Sequence, residues 1–445
     1  MVISQDFRRF GHPPSRFDRL GNMEATAAMA PLWWTLVFCA LLVAGLLTRF
    51  WLANRQVRHV AAHAHQVPGA FAQTISADAH LKAARYTVAK TRHGMLEAAW
   101  SAALLLAWTL LGGLQALDQW VSGWAAPGLW QQVLLLLAFV AIGALLDLPW
   151  NAYTTFRLEA RFGFNRTTPR LWWTDGAKGL LLGAALGTPL AAAVLWLMAS
   201  AGAFWWFWAW ALWMVFTGLM LVVFPTWIAP WFNRFESLQN QALKTRVEAL
   251  MARCGFKAEG LFVMDGSRRS AHANAYFTGF GPAKRVVFFD TLLARLTPDE
   301  IEAVLAHELG HFHHRHITRR LVVMAATSLA GLALLGWLSG QTWFYVGLGV
   351  APHMDQPNHA LALVLFMLVV PLGTFFLTPL SSASSRRHEF QADAYASTHA
   401  QAAALRSALL KLYEDNASTL TPDPWFVRFY HSHPPAHQRL ARLTT

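Results

Sequence analysis

Charge is scarce in this chain. Asp, Glu, Lys and Arg make up 13% of its 445 residues, about half of the ~25% usual in soluble globular proteins. The deficit is concentrated in runs of about twenty residues with almost no charge, long enough to cross a bilayer at ~1.5 Å rise per residue. That distribution argues against a soluble multidomain enzyme, and a 55% hydrophobic composition excludes a disordered chain. Acidic residues are the scarcer sign: 24 Asp and Glu face 36 Lys and Arg, a net charge of +12. In a soluble protein that excess would suggest nucleic acid. Here the bias of basic residues toward one membrane face accounts for it, and no nucleic-acid partner is expected. Cysteine is nearly missing. Cys39 sits in an apolar run and Cys254 in a polar segment, so neither a disulfide framework nor a cysteine metal site is expected. Internal repeats, nucleotide loops and low-complexity tracts are absent too. So is any short apolar core ahead of a small-residue cleavage site, and the first apolar run therefore reads as a span.

What is present reads as a polytopic membrane protein, mostly helical. Twenty-two Trp residues suit extensive bilayer–water boundaries, where an indole offers an apolar body and a polar N–H. Seven apolar runs read as spanning helices: Ala30–Leu52, Gly94–Leu117, Gln131–Leu148, Ala177–Ala201, Phe204–Ile228, Leu321–Val346 and Ala360–Leu380. The connections after the first and third carry Arg55, Arg58, Lys82, Arg85, Lys90 and Arg92, then Arg157, Arg161, Arg166 and Arg170. The connection after the fifth is a large basic segment, whereas those after the second, fourth and sixth hold no Lys or Arg. This places the odd-numbered connections and the C-terminus in the cytoplasm, and the N-terminus outside. Arg8, Arg9, Arg16 and Arg19 contradict that orientation if they are translated; a start at Met23 would remove them, and N-terminal sequencing tests it.

The expected organisation is a tail over residues 1–29, five spans over 30–230, a cytoplasmic segment over 231–320, two spans over 321–382 and a C-terminal segment over 383–445. In the first polar segment a helical pattern runs from Leu238 to Cys254 and is closed by Gly255. Strand-like stretches Leu261–Met264 and Arg285–Phe289 flank a loop-rich stretch, which makes a small β element. A helix then opens at Thr297-Pro298-Asp299-Glu300, with Thr297 as cap, Pro298 in the first turn and acids opposing the helix dipole.

That helix carries His307-Glu308-Leu309-Gly310-His311. Histidines at i and i+4 share one helical face, so both imidazoles can hold one zinc ion while Glu308 takes a proton from its water. A catalytic zinc takes three protein ligands. His316 falls at the wrong spacing for the longer histidine motif. Glu389, in Arg386-Arg387-His388-Glu389-Phe390-Gln391-Ala392-Asp393, is the better third ligand, and Asp393 one turn on can fix the tautomer of a ligand histidine, His307 first. His313 and His314 read as pH-sensitive surface residues in preference to a second metal site.

The sequence resembles the integral-membrane zinc metallopeptidases of the type I CAAX prenyl protease family. The matching blocks are Leu305–His311, Glu389–Asp393, Ala271–Phe277, Phe224–Pro230, Gly163-Phe164-Asn165 and Ser432-His433-Pro434-Pro435. The resemblance implies seven long helices around an intramembrane chamber, with a mostly helical zinc domain at its cytoplasmic end. It implies one zinc on His307, His311 and Glu389, Glu308 as base, Asn274-Ala275-Tyr276 beside the substrate backbone, and Asn274 and His433 near the reacting carbonyl. Such proteins act on chains ending in a prenylated cysteine and three further residues; a lipid bilayer and a peptide substrate, prenylated or plain, are the implied partners. One departure stands out: Glu159 is followed by Ala160 where the family often has a second acid. A heat-shock type membrane protease shares the zinc helix but is a shorter chain, and a transporter or scaffold would have no chemical need for Glu308 and three ligands.

Overall fold

The computed structural model describes residues 16–257, 260–278 and 285–443. Residues 1–15 of the expected tail lie outside that range. The remainder of the tail is already helical: α1 runs unbroken from Arg16 to Ala62 and contains the first span.

Helix α2 (Ala77–Trp108) opens on a Ser76 cap and carries the second span, but the predicted straight run to Leu117 is corrected. The chain breaks after Trp108 and resumes as α3 (Gly113–Ser122), bent by 51°. Two glycines cause the break. Gly112 adopts φ +80°, and a Cβ on Gly113 would lie 2.5 Å from the Ala107 carbonyl oxygen. Next come α4 (Leu129–Tyr153), α5 (Pro169–Ser200) and α6 (Trp205–Val223). Wide π turns follow α4 and α6, at Thr154–Glu159 and Phe224–Ile228, and α7 (Ala229–Phe232) ends this half.

Helices α4, α5 and α6 are unusually bare. Only 6% of the most apolar stretch of α5 or α6 is buried against protein. A helix in a solid soluble bundle hides an apolar face against its neighbours; so much uncovered apolar length suits contact with lipid. Among the described residues six helices are long and apolar enough to cross a membrane, and the bent α2–α3 pair makes up to seven.

The sheet is the small β element, with four strands where the sequence suggested two. β1 (Phe235–Ser237) precedes α8 (Gln241–Arg253), which caps at Asn240 and ends before Gly255 at φ +65°. β2 (Gly260–Met264), β3 (Ala275–Thr278) and β4 (Arg285–Phe289) complete the order β1-β2-β4-β3, with β2 and β4 parallel and the other pairs antiparallel. Short α9 (Asp290–Leu293) leads to α10 (Pro298–His313), the zinc-motif helix.

The sixth span is shorter than read. α11 (His316–Leu338) stops eight residues before Val346, and the separate turn α12 (Thr342–Val346) follows. The seventh passes from α13 (His359–Thr374) through a tight turn at Phe375–Leu377 into α14 (Thr378–His399). The rod that leaves the membrane therefore delivers Glu389. α15 (Ala402–Asp415), α16 (Pro424–Tyr430) and α17 (Ala436–Arg442) close the fold.

Two large apolar cores dominate the described residues, beside two small clusters. One, built on Val247, Leu250, Phe288, Leu305, Leu309 and Ala408, holds the catalytic half; the other, built on Phe38, Leu114, Val133, Leu195, Phe344 and Leu365, ties the far ends of the membrane helices.

Candidate metal centre

The site is assembled by pressing α10 against α14. Each helix supplies a small residue at the crossing: a Cβ on Gly310 would lie 2.9 Å from Ala392 Cα, and Ala392 is itself fully buried. Gly310, between the two histidines of the motif, thus sets how near Glu389 comes to them. The start of α10 is fixed by a reciprocal cap, in which the Thr297 N–H donates to Glu300 Oε2 at 2.7 Å and the Glu300 N–H to Thr297 Oγ1. Lys411 and Ser407 of α15 also donate to Glu300, so the cap is locked to the catalytic core.

At the crossing three side chains converge. His307 Nε2 and His311 Nε2 are 3.3 Å apart, and Glu389 places Oε2 3.5 Å from the first and Oε1 3.4 Å from the second. Tetrahedral zinc with bonds of ~2.0–2.2 Å separates its ligand atoms by ~3.3–3.6 Å. The donor set fits zinc in spacing and in kind. Glu389 Oε2 is also buried with no well-directed hydrogen bond, although His433 Nδ1 lies 2.8 Å away. This is the one three-donor group of the kind found among the described residues.

Asp393 lies where the sequence suggested, with Oδ1 2.8 Å from His307 Nδ1. Sequence reasoning missed its other partner. Arg439 of α17, buried, grips Asp393 through Nε at 2.8 Å and Nη2 at 2.5 Å, and its Nη1 sits 3.8 Å from Glu389 Oε2. Burial works against the Arg439 charge, but Asp393 outweighs it and raises the pKa further. The motif offers no signal for Arg439, which is one of two arginines in a short helix after Pro434-Pro435.

The two imidazoles differ. Burial alone would lower His307, but Asp393 and Glu389 hold its pKa up at about 9, whereas burial and His307 push His311 down to about 3. A cation held by both would take the place of the proton on His307. Burial also raises the pKa of the Glu308 carboxyl above its ordinary value, against the opposing pull of His307, which makes it a stronger base than a solvated carboxylate.

Glu308, His311, Glu389 and His433 line a cavity of about 1560 Å³ that runs along α11 past Ile317, Val322 and Met324. A second cavity, about 1020 Å³, is lined by Asn274, His433 and Arg439 and extends to Arg49, Gly94 and Met95 on α1 and α2. His433 lines both. Asn274 is exposed at the strand entry and its Oδ1 accepts from the Ala275 N–H at 2.8 Å. Ala275 and Tyr276 pair only with Phe288 and Val287 of β4; among the described residues the outer edge of β3 has no strand partner. Glu159, without a second acid beside it, accepts from Tyr86 O–H at 2.7 Å and lies 3.7 Å from His272.

The surface reading of the extra histidines holds for His313, which is exposed, but His314 is half-buried. His316, set aside on spacing, is buried against His311.

Residues 56–234 match the model of the CAAX prenyl protease N-terminal region, five membrane helices, and residues 237–445 match peptidase family M48. The chain belongs to peptidase family M48. Among its relatives, the CAAX prenyl protease 1 homolog of Oryza sativa is 36% identical, with the alignment covering 70% of this chain and 74% of that protein. The CAAX prenyl protease 1 of Saccharomyces cerevisiae is 35% identical over 68% of this chain and 70% of its own, and the Homo sapiens homolog 28% identical over 88% and 92%. The crystal structure of S. mikatae Ste24p superposes with a TM-score of 0.87 at 29% identity, covering 93% of this chain and 99% of that one. This M48 member is a multi-pass membrane zinc metallopeptidase.

Proposed function

We propose that the protein hydrolyses a peptide bond near the C-terminus of prenylated, CAAX-type chains, with its site at the cytoplasmic membrane face. The observation that carries the proposal is the convergence of His307, His311 and Glu389 beside a large cavity walled by membrane helices. The relatives' names support the substrate class, and the basic connections support the orientation.

His307, His311 and Glu389 hold the zinc, and Asp393 with Arg439 orients His307. When bound, zinc supplies a Lewis acid and lowers the pKa of water. The free edge of β3 receives the substrate backbone at Ala275 and Tyr276, adding a strand to the sheet. Glu308 takes the proton from the attacking water and passes it to the leaving amine. Asn274 and His433 direct N–H donors at the oxyanion that develops on the scissile carbonyl. The apolar wall of α11 accommodates the prenyl chain.

Zinc content measured together with hydrolysis of a farnesylated C-terminal peptide and its plain twin tests this reading. Cleavage of the farnesylated peptide in preference to the twin is expected. Equal cleavage would remove the prenyl preference; a zinc-loaded protein that cleaves neither would remove the peptidase reading.

A further inference from the structure

We propose that His316 is a positioning residue for the zinc centre, ordering the proton on His311 so that a lone pair faces the metal. The inference rests on His311 being a zinc ligand. The chain turns sharply between α10 and α11: Arg315 adopts the left-handed conformation at φ 54°, and this turn folds His316 back under the end of α10. There its ring is 1% exposed and stacked at 3.9 Å on His388.

The hydrogen bonds of His316 have a direction. Its Nε2 is 2.8 Å from Gln391 Oε1, an acceptor, so Nε2 carries the proton. A neutral imidazole protonated there has a lone pair on Nδ1, and that atom lies 3.0 Å from His311 Nδ1. Two imidazole nitrogens at this distance bond only if one of them is protonated. His311 must then be the donor, through Nδ1–H, which leaves its Nε2 lone pair pointing at His307 and Glu389. The same tautomer is the one a metal on Nε2 requires. Gln391 stands two residues past Glu389 on α14. One helix therefore provides the third ligand and, through His316, the partner that orients the second.

This separates His316 from a second metal site, because its Nδ1 is engaged by His311 and its Nε2 by Gln391. It also separates His316 from a merely packed ring, because a residue of similar bulk without an acceptor would fill the space but leave the His311 N–H unpaired. The two ligand histidines differ in consequence: His307 donates to a carboxylate braced by arginine, His311 to a neutral ring.

The test uses the full chain in detergent, reading zinc affinity by chelator competition and the visible absorption of the cobalt-substituted protein. His316→Leu is expected to weaken zinc binding about 10–100-fold and to shift the cobalt bands. His316→Gln, which keeps an acceptor, recovers most of that loss; a loss equal to that of the Leu variant overturns the proposal. Gln391→Leu changes an exposed side chain, leaves His316 in place and removes the acceptor that sets its tautomer, so a smaller loss, within about tenfold, is expected. It also decides the matter should His316→Leu not fold: wild-type affinity and cobalt spectrum in Gln391→Leu then refute the role. His311→Ala separates the two levels. Full zinc affinity in that variant sinks the ligand reading itself, whereas zinc loss there with wild-type binding in the His316 and Gln391 variants sinks only the positioning role.

Discussion

Two aspartates buried in this protein each lie 2.8 Å from a histidine nitrogen, at opposite ends of the membrane helices. Asp393 meets His307 at the catalytic end, and Asp118 meets His353 at the other. The contacts are alike, but the surroundings are not. Around Asp393 stand a second histidine, a second carboxylate and a buried arginine, and the atoms facing the centre are spaced for a tetrahedral cation. Around Asp118 stand amides with structural duties. Gln132 accepts from the Ala360 N–H, Gln115 from the Ala351 N–H, and Asn358 from the His353 N–H. The far cluster ties α3, α4 and the 347–358 loop together and presents no convergent donors. A paired histidine and aspartate is therefore no evidence of a site; convergence of unshared donor atoms is.

The largest expected effect sharpens that contrast by separating metal binding from proton transfer. Glu308 opens on the cavity beside the centre, and among the described residues no second carboxylate lines the small pocket at Asp118. Glu308→Gln should retain zinc and lower kcat by about 10²–10⁴-fold, the range for a positioned general base. An active, zinc-loaded variant would remove the assignment. Next in size is Asp393→Asn, which takes a charge from opposite Arg439 and loosens the tautomer of His307. Zinc affinity should fall about 10–100-fold in chelator competition, and an unchanged affinity would reduce Asp393 to a packing role.

The sequence made the catalytic end legible to an uneven degree. His307, Glu308 and His311 are written as one helical turn, and Glu389 and Asp393 as another, because ligation by side chains of one helix imposes a spacing that can be read. Arg439 and His316 have no such imprint. Each acts through a contact made by folding, Arg439 across 46 residues to Asp393 and His316 by a left-handed turn that no local pattern announces. Gly310 and Ala392 have no such imprint either; only the helix crossing gives their size a reason. In the membrane half the apolar runs located the helices, but hydropathy is blind to bends, so the kink at Gly112-Gly113 and the early end of α11 were read through. The double glycine was the available signal.

The smallest effect tests the comparison most directly, since it applies the same chemical change at the other end. Asp118 is buried, and His353 Nε2 reaches its Oδ2. Asp118→Asn keeps an amide oxygen where the carboxylate accepted, and among the described residues no arginine or lysine pairs with Asp118 as Arg439 does with Asp393. The exchange should cost under about 1 kcal/mol, the order of one hydrogen bond made slightly weaker. Asp118→Ala leaves the histidine N–H unpaired and should cost about 1–3 kcal/mol. Both are read from thermal unfolding in detergent, with kcat/KM within about twofold of the wild type and zinc affinity unchanged. The two ends are packed by separate apolar cores, so a loosened loop at one should leave the spacing of His307, His311 and Glu389 unchanged. A fall in zinc affinity in Asp118→Asn, with the fold intact, would show that the far cluster sets the geometry of the centre after all, and that the apolar core between α3, α4 and α13 transmits strain along the length of the membrane helices.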